Sequence, residues 1–132
     1  LLRAQFAPDV HPRAGISQFT ATVVAEARSR GMEAVISALT LIEAAHRRMN
    51  KSRLAWLLSG MRIVHVGEEE AKAASAMLIA AGLHGQKYAI DAVVAEMAIR
   101  QPRPVVMLTS DVDDMKRLCG DRVRLVAVQP CP

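Results

Sequence analysis

The chain has 132 residues, 52% of them hydrophobic and 23% charged, enough apolar material for one ordinary core and too much for a disordered tail. Aromatic residues supply 3%, so that core has to be aliphatic, and a surface that stacks nucleic-acid bases on rings is disfavoured. Seventeen Lys and Arg against thirteen Asp and Glu leave a net charge of +4, which fits an acidic partner without demanding one. No apolar run approaches the roughly 18 residues of a membrane span; the longest lies around Ala76 to Ala81. Cys119 and Cys131 have no metal-ligand spacing and no framework of pairs, which predicts a reducing, cytoplasmic setting. Leu1-Leu2-Arg3 carries neither an initiator Met nor a signal pattern, so a missing start is expected.

The punctuation predicts alternating helices and strands. Ser17 to Arg30 has Phe19, Val23 and Ala27 at helical spacing, with Gly31 as the stop. Glu33 to Ser37 is strand-like; Leu39 to Met49 returns to helical period until Asn50 breaks it, and Lys51 to Ser59 predicts another short helix. Arg62 to Val66 alternates as a strand does. Glu68-Glu69-Glu70 follows Gly67 and suits the positive end of a helix running to Ala81, with Gly82 ending it. Gln86 to Arg100 predicts a helix closed by Pro102 and Pro104, and Val105 to Thr109 a buried parallel strand. Asp111 to Leu118 and Val123 to Val128 complete the series as helix and strand. The alternation predicts one α/β domain over 1–132, a three-layer α/β/α sandwich around a central, mainly parallel sheet. Only Leu1 to Gly15 lacks a clean apolar strand, so the first strand is expected to be missing or degenerate.

Open α/β sheets bind ligands beyond the carboxyl ends of their strands. Asp111 follows the strand Val105 to Thr109 immediately, and Glu43 follows Glu33 to Ser37 on the next helix. Asp91 lies inside the apolar stretch Tyr88 to Val94, on or beside a buried face, where a lone carboxylate is costly. Each has a plainer reading. Asp111, or Ser110 reaching Asp113, could simply cap a helix; Glu43 could be an exposed helix former; Lys87, four residues back, could neutralise Asp91. Together, acids from three elements at one sheet edge repel one another unless a cation sits among them. Asp114 shares the helix face of Asp111 and is a fourth candidate, whereas Asp113 and Glu96 are rotated away. Oxygen ligands alone suit Mg²⁺ or Mn²⁺, and such a cluster supports metal-assisted phosphodiester hydrolysis.

With those residues in place the chain resembles the PIN-domain proteins, close to the VapC-like ribonuclease toxins. The resemblance is carried by Ser37-Ala38-Leu39-Thr40-Leu41-Ile42-Glu43, by Ala89-Ile90-Asp91-Ala92-Val93-Val94-Ala95 and by Leu108-Thr109-Ser110-Asp111-Val112-Asp113-Asp114, in the family's order. It covers roughly Phe19 to Val128. It implies that Glu43, Asp91, Asp111 and Asp114 hold the metal, with Ser110 steadying them by hydrogen bonding. It further implies RNA cleavage, a small antitoxin as partner and a homodimer. The family's first acid, at the end of the first strand, has no clear counterpart; Asp9 after Pro8 and the segment Arg13-Ala14-Gly15 are the candidates. That departure motivates the alternative of a catalytically inactive PIN-like module binding RNA or a protein.

Other features carry less. Arg47, Arg48, Lys51 and Arg53 read as a solvated face or as a rim that tracks RNA phosphates. The four histidines have no ligand spacing, which argues against zinc. Phosphate loops of the P-loop or dinucleotide kind are absent from the sequence, and neither Ser37 nor Ser110 has a base in a nucleophile-elbow context.

Overall fold

In the computed structural model, residues 3–6, 18–44 and 51–127 are described. Among these residues five strands, β1 (Arg3–Phe6), β2 (Glu33–Ser37), β3 (Arg62–Val64), β4 (Val105–Thr109) and β5 (Arg124–Ala127), form one sheet in the order β3-β2-β1-β4-β5. Every pair is parallel: β1 sets Arg3 against Glu33 on one side and against Val105 on the other. Among the described residues six helices connect them: α1 (Gln18–Ser29), α2 (Ala38–Ala44), α3 (Lys51–Leu58), α4 (Glu68–Ala81), α5 (Gly85–Arg100) and α6 (Val112–Cys119). The expected α/β class with parallel strands is therefore present.

The first strand, expected to be missing or degenerate, is not missing. Residues Arg3–Phe6 form β1, and it occupies the centre of the sheet. Four residues including Arg and Gln give little apolar signal, and pairing with a neighbour on each side is what makes them a strand. One further boundary shifts by two residues. The strand expected over Arg62 to Val66 stops at Val64, because Val64 pairs with Ser37, the last residue of β2, and His65 has no strand partner to continue against. The helix expected from Leu39 to Met49 is described as Ala38–Ala44; residues 45–50 lie outside the described residues. Ser37 opens that helix, its Oγ accepting the Leu39 N–H at 3.2 Å.

The strand order sets where the chain reverses. From β1 it steps outward through β2 to β3, then returns by way of α4 and α5 to β4 on the other side of β1, and continues outward to β5. The gap between the carboxyl ends of β1 and β4 is thus the switch point at which open α/β sheets bind their ligands.

Two buried clusters hold the sheet to its helices. The larger joins Ala74 and Leu78 of α4, Ala92 to Ala95 and Ala98 of α5, Val105 and Met107 of β4, and Met115, Leu118 and Cys119 of α6. The smaller joins Val24 of α1, Ala34 and Ile36 of β2, and Met61. Alanines at 92, 95 and 98 let α5 approach its neighbours closely, and seven consecutive residues, Ala92 to Ala98, are buried. The burial includes Glu96, whose Oε1 accepts a 2.6 Å bond from Arg100 Nε.

The start and stop signals of α4 act as the sequence predicts. Glu70 Oε2 accepts the Gly67 N–H at 3.2 Å across the first turn. Gly82 ends the helix at φ 67°, a left-handed conformation that glycine adopts without steric cost, and Leu83 N–H returns to Leu78 O at 3.0 Å. Hydrogen bonding from its own backbone N–H, the Arg100 charge, the Gly67 N–H and His65 together hold the Glu70 carboxyl below the usual carboxylate range, against a smaller opposing effect of desolvation. A depressed folded-state pKa stabilises the fold above the unfolded-state value and ceases to do so as pH falls through the folded-state value. Glu70→Ala should therefore lower the midpoint of urea denaturation at neutral pH, and the gap from the parent chain should close in acid below the carboxylate range.

Candidate metal centre

Asp91, Asp111 and Asp114 come together at the carboxyl end of β4, each half-buried, with one carboxylate oxygen of each within 4.8 Å of the others. Each is positioned by a different local cause. Asp91 stands in α5 one residue before the run Ala92 to Ala98 sinks into the core, so the packing of that helix fixes where its side chain emerges. Asp111 is the second of the two residues between β4 and α6, directly ahead of the helix, and Asp114 lies on the first turn of α6. Residue 114 shares the face of 111 while Asp113 is exposed, as the helical period requires.

The capping alternative for Asp111 is not what its side chain does. Asp111 is the N-cap residue of α6, yet its carboxylate makes no capping hydrogen bond. Its backbone N–H instead donates to Thr109 Oγ1 at 3.0 Å. Thr109 is 1% exposed, so this bond locks the turn from β4 into α6 from inside the protein. Thr109 is a functional residue that the sequence alone does not single out, since a threonine ending a strand carries no local signal of this bond. Ser110 itself is half-buried between them.

The remaining candidates divide into placed and undescribed residues. Glu43 lies in α2, which packs against both β2 and α5, but its side chain is outside the described ones. Asp9 and Arg13-Ala14-Gly15 lie outside the described residues, Asp9 three positions beyond the last residue of β1. Arg47 and Arg48 are likewise outside them, while Lys51 is the exposed first residue of α3. Glu96, set aside from the sequence, is buried and bound to Arg100.

The donor set fits a hard dication. Two carboxylate charges 4.8 Å apart repel by about 3 kcal/mol at an effective dielectric constant of about 20. Three of them converging on one point are complementary to a doubly charged ion, and among the described residues the donors are all carboxylate oxygens, the type that hard cations prefer. Beside the acids is a cavity of about 370 Å³, which Gln86, Lys87 and Tyr88 of α5 also line. The Lys87 Nζ lies over the Tyr88 ring, 5.2 Å from its centre.

No family model and no curated protein matches the chain in sequence. Among solved structures, it is similar to a chain in the crystal structure of VapBC2 from Rickettsia felis bound to a DNA fragment from their promoter, at 17% identity and a TM-score of 0.68. The match covers 96% of this chain and 99% of that one. What the likeness shows is the fold, and at that level the VapC-like resemblance carried by the three acidic motifs holds along nearly the whole chain.

Proposed function

We propose that the chain is a metal-dependent endoribonuclease of the PIN type, a VapC-like toxin whose sheet is covered by helices on both faces in three layers. The observation that carries this reading is the convergence of Asp91, Asp111 and Asp114 at the switch point of the sheet. Asp91, Asp111 and Asp114 hold Mg²⁺ or Mn²⁺, with Glu43 as a further acid from α2. When bound, such an ion supplies activation of water and relief of negative charge at the scissile phosphate. The residues of the chain do the positioning. Thr109 fixes the amide of Asp111, the buried stretch of α5 fixes Asp91, and Ser110 steadies the acids between them.

Lys51, with Arg47 and Arg48, tracks the RNA backbone by charge and without sequence preference. Asp9 is the nearer candidate for the family's first acid. β1 supplies the strand after which the family's first acid would stand, whereas the inactive-module alternative drew on that acid itself, whose candidate Asp9 lies outside the described residues. A small antitoxin as partner is supported by the VapBC2 likeness and by two exposed apolar side chains, Ile42 at 68% and Trp56 at 67%. A homodimer and a cytoplasmic setting belong to the same reading; no described helix is long and apolar enough to cross a membrane.

Two measurements test it. Mn²⁺ or Mg²⁺ at about 100 times its dissociation constant should stabilise the fold by about 2.7 kcal/mol, reversibly with EDTA. The same titration on Asp111→Asn should give a much smaller rise in Tm, and equal shifts in both proteins would remove the metal from the reading. In a cleavage assay on a randomised single-stranded RNA pool, Asp91→Asn should lower the Mn²⁺-dependent rate on the order of 100-fold with an unchanged circular dichroism spectrum. Undiminished cutting by that variant would end the nuclease assignment.

A further inference from the structure

A cavity walled by three carboxylates is a poor place for a polyanion. One dication offsets two of the three charges, and each RNA phosphate that enters adds another negative charge. The cavity beside Asp91, Asp111 and Asp114 nevertheless holds a cationic side chain, that of Lys87, and among the described residues lining it Lys87 is the sole cation. Lys87 precedes Asp91 by four residues on α5, so the two side chains issue from one face of the helix. Lys87 is exposed, which keeps its ammonium solvated and open to an incoming phosphate.

Its ammonium also has a platform. Tyr88 is half-buried and packed against the larger core cluster, so its ring has little freedom, and the Lys87 Nζ lies 5.2 Å from the centre of that ring. A cation over an aromatic face is held electrostatically by the ring quadrupole. A lysine restrained in this way loses less rotamer freedom when it binds than one free in solvent.

We infer that Lys87, held over the ring of Tyr88, binds an RNA phosphate adjacent to the one that is cleaved, and so sets the register of the strand across the three acids. This rests on the nuclease reading given above. Lys87 is the substrate-binding group and Tyr88 a positioning residue that acts through it. Lysine meets phosphate as a point charge, so the contact adds affinity without selecting a base.

The experiment is steady-state cleavage of the randomised single-stranded RNA pool with Mn²⁺, by the parent chain, Lys87→Met, Lys87→Arg, Tyr88→Leu and Tyr88→Phe. Lys87→Met should raise KM about tenfold, the effect of losing one charge-assisted contact. It should leave kcat and the Mn²⁺ midpoint unchanged and reduce the slope of log affinity against log salt by about 0.7, the counterion release of one single-strand phosphate. Lys87→Arg should restore KM to within about twofold, since the charge is kept. Tyr88→Phe keeps the ring face and should behave as the parent, while Tyr88→Leu should raise KM part of the way; its Tm is recorded because Tyr88 also packs on the core.

A fall in kcat or a shifted Mn²⁺ midpoint in Lys87→Met, with KM unmoved, would overturn the inference and make Lys87 a neutralising partner of Asp91 instead. Unchanged KM and salt slope in that variant, in a protein that cuts RNA, would overturn the inference alone. A parent chain that does not cut RNA, or whose cutting survives Asp91→Asn, would overturn the nuclease reading and this inference with it.

Discussion

The parallel pairing of β4 with β1 is the constraint on which the arrangement of the site depends. Because β4 joins the sheet beside the first strand and not beyond β3, the chain changes its direction of travel there. The carboxyl ends of β1 and β4 then lie side by side, which is where such sheets form their binding crevice. Asp111, the second residue after β4, is delivered to that space by strand register. The hydrogen bond from its amide to Thr109 Oγ1 then fixes how the chain leaves the strand, and hence where Asp114 falls on the first turn of α6.

The second element of the site comes from burial. α5 is enclosed over Ala92 to Ala98, and its small residues allow α4, α6 and the sheet to approach it from several sides. A helix packed on most of its faces cannot rotate to relieve a charge at its edge. Asp91 is therefore held near Asp111 and Asp114 although the three charges repel one another. The same rigidity bears on Lys87 and Tyr88, one turn earlier on the same helix: Tyr88 belongs to the packed side and Lys87 to the solvent side, and the ring links them.

Much of this was legible. β2, β4 and α4 have the bounds that their sequence punctuation predicts, since a β-branched run, a buried apolar run and a glycine-bounded helix are local signals. Asp91, Asp111 and Asp114 were legible as acids at helix starts or on apolar faces, where a charge calls for a partner. Three things were not legible. β1 has a composition that no local rule marks as a central strand; the end of β3 depends on where its neighbour β2 stops; and Thr109 reads as an ordinary strand residue until its hydroxyl is seen to hold the next turn.

The sequence by itself determined the α/β alternation, the aliphatic character of the core and the identity of the acids, because propensity, periodicity and charge act over a few residues and are written in neighbouring positions. The tertiary structure alone decided that β1 lies between β2 and β4, that Asp91 meets Asp111 and Asp114 within 4.8 Å, and that Lys87 shares their cavity. Those facts depend on strand order and on the burial of α5, which arise from contacts between residues far apart in the chain. No window of sequence short enough to carry a local signal contains both partners of such a contact.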